Sequence, residues 1–360
     1  MFWVFVYSII SIYSITGLYL YKNKISVDIS KYFALLSFIS SGIFIFSLNY
    51  NRDIMSDSIG YSAYFQTIRV LDFTSILTYQ DNFEIGFRLW NWMIGLISER
   101  SEFFFAITAL TIFLVTQLSL LNIFNRYVAM FTSFLYVGLP WFALYSASGI
   151  RQGLALSFVT LSLSFLLKRR NYISLIYFLI AVSFHRTAII IFPAYAVILL
   201  KVKPKQALII YSLLVIGAVS DIFGSVVRVF LDVDSLSPRE KFYFSGTVEE
   251  YKTGFRMDFF IFSIFPLVIY YLIGRYKLRT DDIDKWIIIY LAINSLMLIF
   301  SFIPYYDRVA AFSWYLYPIL LSMMLFKLKN NIFSFVGLSA LCVVNIIIFR
   351  FYNWGWYFSV

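Results

Sequence analysis

Apolar runs close to the length of a bilayer crossing recur from one end of this chain to the other, with its charges gathered between them. A spanning helix needs about 20 apolar residues, with roughly 17–25 tolerated. Candidate spans fall at 1–20, 32–48, 103–121, 127–146, 150–167, 172–184, 187–200, 206–221, 257–274, 286–303, 309–326 and 332–349. Of 360 residues, 61% are hydrophobic and 13% charged, where soluble domains are about a quarter charged. A water-soluble core cannot hide that much apolar surface, whereas lipid tails can surround it. The expected fold class is therefore all-α, a polytopic transmembrane helical bundle of about 10–12 spans, some short or re-entrant.

Charge sets the expected topology. Lys168-Arg169-Arg170 precedes the apolar pair 172–184 and 187–200, and Lys201, Lys203 and Lys205 follow it. Basic clusters mark cytoplasmic loops, so the chain goes out and comes back, with its apex at His185-Arg186. With Lys22–Lys31, Asn122–Arg126, Arg275–Lys285 and Lys327–Asn331 also inside, the inner loops hold 16 Lys/Arg and 4 Asp/Glu, and the rest of the chain holds 13 and 15. The net charge of +10 is thus an orientation signal, and no nucleic-acid partner is expected. The first apolar run lacks a basic leader and a small-residue cleavage site, so it is expected to be a membrane helix and not a signal peptide.

Residues 85–97 (IGFRLWNWMIGLI) are too short to span and carry Arg88 and Asn91. They are expected to form a re-entrant or interfacial helix on the outer side. Two outer loops result, 49–102 and 222–256, on a single integral membrane domain covering 1–360. The one cysteine, Cys342, excludes an intramolecular disulfide, and the one histidine, His185, excludes a multi-histidine metal site. No metal or cofactor is expected.

Five constellations fall on the expected outer side. Arg52-Asp53 is followed by Asp57, Tyr61 and Phe65, the last three on one helical face. Glu84 opens the short helix, where a carboxylate is either a cap or, if desolvated, a working base. Arg151-Gln152 opens a span, with Ser148 as its N-cap. An Arg there is disfavoured by the helix dipole unless an anion offsets it, and its fork suits a diphosphate. His185-Arg186 stands at the hairpin apex, and ionisable groups in such apolar surroundings are functional candidates. Asp307-Arg308 precedes another span. Arg151, Arg186 and Arg308 come from distant parts of the sequence, and their gathering on one face suggests an anionic ligand.

At these residues the chain resembles the EpsG family, which overlaps the Wzy-type polymerases of O-antigen, capsule and exopolysaccharide. The matching pieces are Arg52-Asp53 with Asp57 and Tyr61, Glu84-Ile85-Gly86-Phe87, Ile150-Arg151-Gln152-Gly153-Leu154-Ala155, Phe184-His185-Arg186-Thr187-Ala188, and Asp307-Arg308. They run in order through residues 50–320. Ile85 stands where the family pattern often has Pro. The resemblance implies a multi-pass protein of the bacterial inner membrane, similar in architecture to membrane GT-C-like glycosyltransferases. It implies transfer of glycan from an undecaprenyl-diphosphate-linked donor to a lipid-linked repeat unit at the periplasmic face, without nucleotide sugar or essential metal. A chain-length regulator and a flippase are the expected protein partners.

On that reading Arg151, Arg186, Arg308 and Arg52 contact the diphosphate, and Asp53, Tyr61, Gln152 and Asp307 are further substrate contacts. The base is Glu84, Asp57 or His185; residue types alone do not choose. The transfer is expected to invert the anomeric centre. The rivals are a flippase for lipid-linked oligosaccharide, which calls for charges near the midplane and repeat-like halves, and a glycan acyltransferase, which calls for a polar route from the cytoplasm.

Overall fold

The computed structural model describes residues 2–54, 57–79, 81–230, 253–327 and 331–348, and among them every regular element is helical. Most of the second expected outer loop, 231–252, lies outside the described residues. Packing divides the chain into two units, Met1–Ala188 with Leu328–Val360, and Ile189–Lys327.

The first unit contains α1 (Phe2–Lys22), α2 (Val27–Tyr50), α3 (Asp57–Ile68), α4 (Phe73–Thr78), α5 (Ile85–Gly95), α6 (Ser101–Ile123), α7 (Arg126–Val137), α8 (Pro140–Ala147), α9 (Ile150–Leu167) and α10 (Asn171–Phe184). The second contains α11 (Phe192–Leu199), α12 (Pro204–Val219), α13 (Ile222–Phe230), α14 (Met257–Arg275), α15 (Asp281–Ile299), α16 (Asp307–Trp314) and α17 (Tyr317–Leu325). The last helix, α18 (Asn331–Ile348), returns to the first unit. Among the described residues five stretches are long and apolar enough to cross a bilayer: α2, α6, α9, α14 and Asp307–Leu325. Several shorter apolar helices accompany them, α10 and α12 among them.

The expected continuous span 127–146 is broken. Its two parts bend by 73°, with Gly138 at the break and Pro140 starting α8. A Cβ at Gly138 would strike the Tyr7 hydroxyl and come within 2.8 Å of Asn345 Cβ, so the glycine lets the end of α7 press on α1 and α18. The short segment 85–97 forms a short helix, as expected, with Ile85, Met93, Leu96 and Ile97 exposed on one side. α5 is too short to cross, and Phe87, Arg88, Asn91 and Ile94 on it are buried among its neighbours. The pair 172–184 and 187–200 is interrupted at His185, as the sequence requires, by an extended residue (φ −156°).

Inside lipid, helices gain nothing from burying Leu against Leu, so close backbone approach and interhelical hydrogen bonds decide association. α9 and α10 show this at a serine pair. Ser162 Oγ donates to Ser174 O and Ser174 Oγ donates to Ser162 O, each at 2.8 Å. α9 meets α8 and α6 through Gly153, where a Cβ would collide with Tyr145 O and reach 2.7 Å from Ile112 Cδ1. In the second unit a buried amide does the same work. Asn294 Nδ2 donates to Ser263 Oγ (3.0 Å) and Ser313 Oγ (2.8 Å), while its Oδ1 accepts from the Tyr211 hydroxyl (2.7 Å). One side chain of α15 thereby ties α12, α14 and α16.

Four helix ends share a design. Lys24, Arg169, Lys201 and Lys277 adopt positive φ (53–58°) two residues past α1, α9, α11 and α14. Each sits in a Schellman cap, closed by Ile25 N–H to Leu20 O, Arg170 N–H to Phe165 O, Val202 N–H to Val197 O and Leu278 N–H to Ile273 O. Glycine is the usual residue there, and a side chain costs about 1–2 kcal/mol. All four positions lie in loops assigned by sequence to the cytoplasm. The corresponding left-handed residue after α12 is acidic, Asp221 (φ 52°). Basic residues at these caps meet the negative helix ends and mark orientation. Replacing Arg169 and Lys201 together by Gly should therefore leave the melting temperature in detergent unchanged or higher, while a reporter fused beyond α10 loses its uniform sidedness. In the second unit, Asn294→Ala should lower stability by about 1–2 kcal/mol, two or three membrane hydrogen bonds, measured by thermal unfolding in detergent.

Candidate active site

Arg151 stands in the first turn of α9, whose N-cap is Gly149; the expected cap, Ser148, makes no capping bond. Its guanidinium does not snorkel. Nη1 donates to Glu84 Oε2 at 2.9 Å, and Nε lies 3.4 Å from the Tyr61 hydroxyl. Three rings surround it: Phe83 at 4.5 Å, and Tyr61 and Phe87 at 5.9 Å each. The two side chains of the pair are 20% and 15% exposed. The cation is thus held by a carboxylate and by the negative faces of aromatic rings, in surroundings that strengthen both attractions.

Glu84 occupies the N-cap of α5 but makes no side-chain cap bond. Its carboxylate turns away from its own helix. Oε2 takes the Arg151 guanidinium and Oε1 accepts the Arg186 backbone N–H at 3.0 Å. Glu84 therefore joins the starts of α5 and α9 to the corner after α10. Gly86 makes this approach geometrically possible, since a Cβ there would strike Ser183 Oγ and sit 2.7 Å from Ser183 O.

A second buried pair lies beneath. Arg88 donates to Ile76 O (2.9 Å), Asp81 Oδ1 (3.0 Å) and Phe83 O (3.3 Å). Asp81 also accepts from the Phe83 N–H at 2.9 Å and from the Tyr64 hydroxyl. Burial, then the bond to Asp81, pushes the Tyr64 phenol well above its ordinary range, so it stays a donor. Tyr64 stacks on Phe87 (6.1 Å) and packs on Phe83 (4.1 Å). Sequence reasoning used Arg88 only as a mark against a span and missed Asp81, Tyr64 and Phe83. The available signal was Arg88 itself, a charge one helical turn after Glu84 in an otherwise apolar segment.

Asp57 begins α3, as expected, and is exposed. Tyr61, one turn later, carries the same face toward Arg151. Among the described residues no hydrogen bond or ion pair engages Asp57. Arg52 is buried, with its guanidinium 4.1 Å from the centre of the Phe105 ring, and Asp53 beside it is exposed. Gln152 is buried in α9 next to Arg151. His185 is half-buried at the corner that Glu84 holds, and the Arg186 side chain is exposed. Arg308 and Asp307 belong to the second unit. There Asp307 begins α16, and the exposed Arg308 lies 4.8 Å from the Tyr305 ring centre. The structure thus brings together Glu84, Arg151, Tyr61 and the Arg186 backbone.

The helices and this site define a class, a multi-pass helical membrane protein with a carboxylate–guanidinium pair caged by aromatic rings at the start of a span. The EpsG family model matches residues 53–358, and the chain belongs to the EpsG family. Membership supports a membrane polysaccharide polymerase in general terms. No curated protein and no solved structure matches the chain.

Breaking a buried ion pair leaves an uncompensated charge, at a cost of about 3–5 kcal/mol. Arg88→Ala should lower stability by that order, seen as reduced melting temperature and early proteolysis between α3 and α6. Arg88→Met with Asp81→Leu should recover part of the loss.

Proposed function

We propose that the protein elongates a polysaccharide at the periplasmic face of the bacterial inner membrane. The donor is a glycan on undecaprenyl diphosphate and the acceptor is the non-reducing end of a lipid-linked repeat unit, as in O-antigen or exopolysaccharide synthesis. The observation that carries this reading is Arg151 in the first turn of a span, desolvated and paired to a single carboxylate. A helix N-terminus with an Arg beside it is made for an anion. Glu84 fills that role without substrate, and a diphosphate, with more oxygens for the same fork, takes over the cation on binding.

The roles then divide by what each group already holds. Both Glu84 oxygens accept a bond, so Glu84 positions Arg151 and the Arg186 corner. Asp57, one turn from Tyr61, has a carboxylate that nothing among the described residues engages, and it serves as base. It takes the proton of the acceptor hydroxyl as that oxygen attacks the anomeric carbon. The bond from that carbon to the phosphate oxygen breaks, and the lipid diphosphate leaves with both electrons, its charge met by Arg151 and Arg186. A single displacement of this kind inverts the anomeric centre and asks for no metal.

Complementation of a deletion strain, with glycan length read on a gel, tests the reading. Arg151→Ala and Arg151→Lys, present in the membrane at parental level, should leave single repeat units, because lysine keeps charge but not the fork. Long chains from both variants would refute the role of Arg151. A flippase would instead leave no repeat units outside. Asp57→Asn should lower the rate by about 10²–10⁴-fold, measured with purified protein and lipid-linked repeat units. Asp57→Asn activity within a few-fold of the parent would remove Asp57 as base.

A further inference from the structure

His185 is the chain's only histidine, and its surroundings in the first unit fix both its place and its proton. The His185 N–H donates to Ala181 O at 3.0 Å, and its carbonyl accepts the Ala188 N–H at 2.9 Å. Phe184 stacks on Phe158 (5.5 Å) and meets Trp90 edge-on (6.4 Å). The next residue is tied to Glu84 by the Arg186 N–H. The backbone of His185 is thus held on both sides.

The ring nitrogen Nδ1 receives the Thr187 backbone N–H at 3.2 Å and lies 2.6 Å from Thr187 Oγ1. A backbone amide is only a donor, so Nδ1 faces it with a lone pair. A neutral imidazole has one N–H, and here it is at Nε2. A histidine that abstracts a proton through Nε2 needs the opposite tautomer. That tautomer would set Nδ1–H against the Thr187 N–H, two donors at hydrogen-bond distance.

We propose, resting on the reaction above, that His185 acts as an Nε2–H donor to a diphosphate oxygen of the lipid-linked substrate and not as the base. The ligand at this corner is an acceptor-only anion, and a donor-only ring edge beside Arg186 complements it. As the bond from the anomeric carbon to phosphate breaks, charge grows on the phosphate oxygens and the Nε2–H bond to them strengthens. The acceptor's proton goes to Asp57, and His185 keeps its own.

Two measurements test this. Because there is one histidine, the full chain labelled with 15N-histidine in lipid nanodiscs gives a single imidazole signal. At neutral pH it should show a bare Nδ1 and a protonated Nε2; the reverse overturns the proposal without reference to any activity. In the polymerisation assay, His185→Gln places an amide N–H near the position of Nε2, whereas His185→Asn reaches only as far as Nδ1. At parental membrane levels, His185→Gln should stay within about tenfold of the parent, while His185→Asn and His185→Ala fall at least about a hundredfold, the loss expected for one donor to a developing oxyanion. Equal loss in all three variants overturns the donor role. A parent that does not lengthen glycan at all refutes the reaction itself, and with it the donor role, while the tautomer signal shows that the local geometry was right.

Discussion

A peptide group in hydrocarbon has no water to bond, so each N–H and C=O must be satisfied within the chain. That constraint organises this protein. It makes the described chain helical, pushes irregular backbone to the helix ends, and leaves helix association to glycine contacts and serine or asparagine hydrogen bonds. The reciprocal Ser162–Ser174 bonds and the Asn294 hub are what remains when apolar burial no longer drives packing. It also concentrates chemistry at helix starts, where free backbone N–H groups and a positive dipole end meet the interface.

The Glu84–Arg151 pair follows from the same physics. An arginine at a helix start repels the dipole, and one in a half-desolvated site is costly alone. The carboxylate and the three rings offset that cost. The lower pair, Arg88–Asp81, holds the loop that carries Phe83 and Glu84, so the cage is fixed from beneath by backbone carbonyls as well as by charge. A site built this way holds its cation in place by neighbours on three sides of the fold's first unit.

Much of this was legible in the chain. The helical class and the break at His185 followed from run length and from the basic clusters on either side of 171–200. Asp57, Glu84, Arg151 and His185-Arg186 stood out because a charge in apolar surroundings needs a reason. The break at Gly138 was missed although Pro140, two residues on, was a local sign of it; what the chain could not show is that Tyr7 and Asn345 press on that glycine. Asp81 was also missed, since an acid in a polar loop has no signal until Arg88 is seen to reach it.

The sequence by itself determined that the chain is membrane helices, which loops carry the positive charge, and which few ionisable residues merit a role, because hydrophobicity and charge act through composition along the chain. The tertiary structure decided what those residues meet. Glu84 became a partner and not a cap, Asp57 a carboxylate that no hydrogen bond or ion pair engages among the described residues, and His185 a ring whose Nδ1 lone pair is taken by Thr187. Those assignments depend on which donor lies within about 3 Å of which acceptor, and that distance is set by how helices far apart in sequence pack.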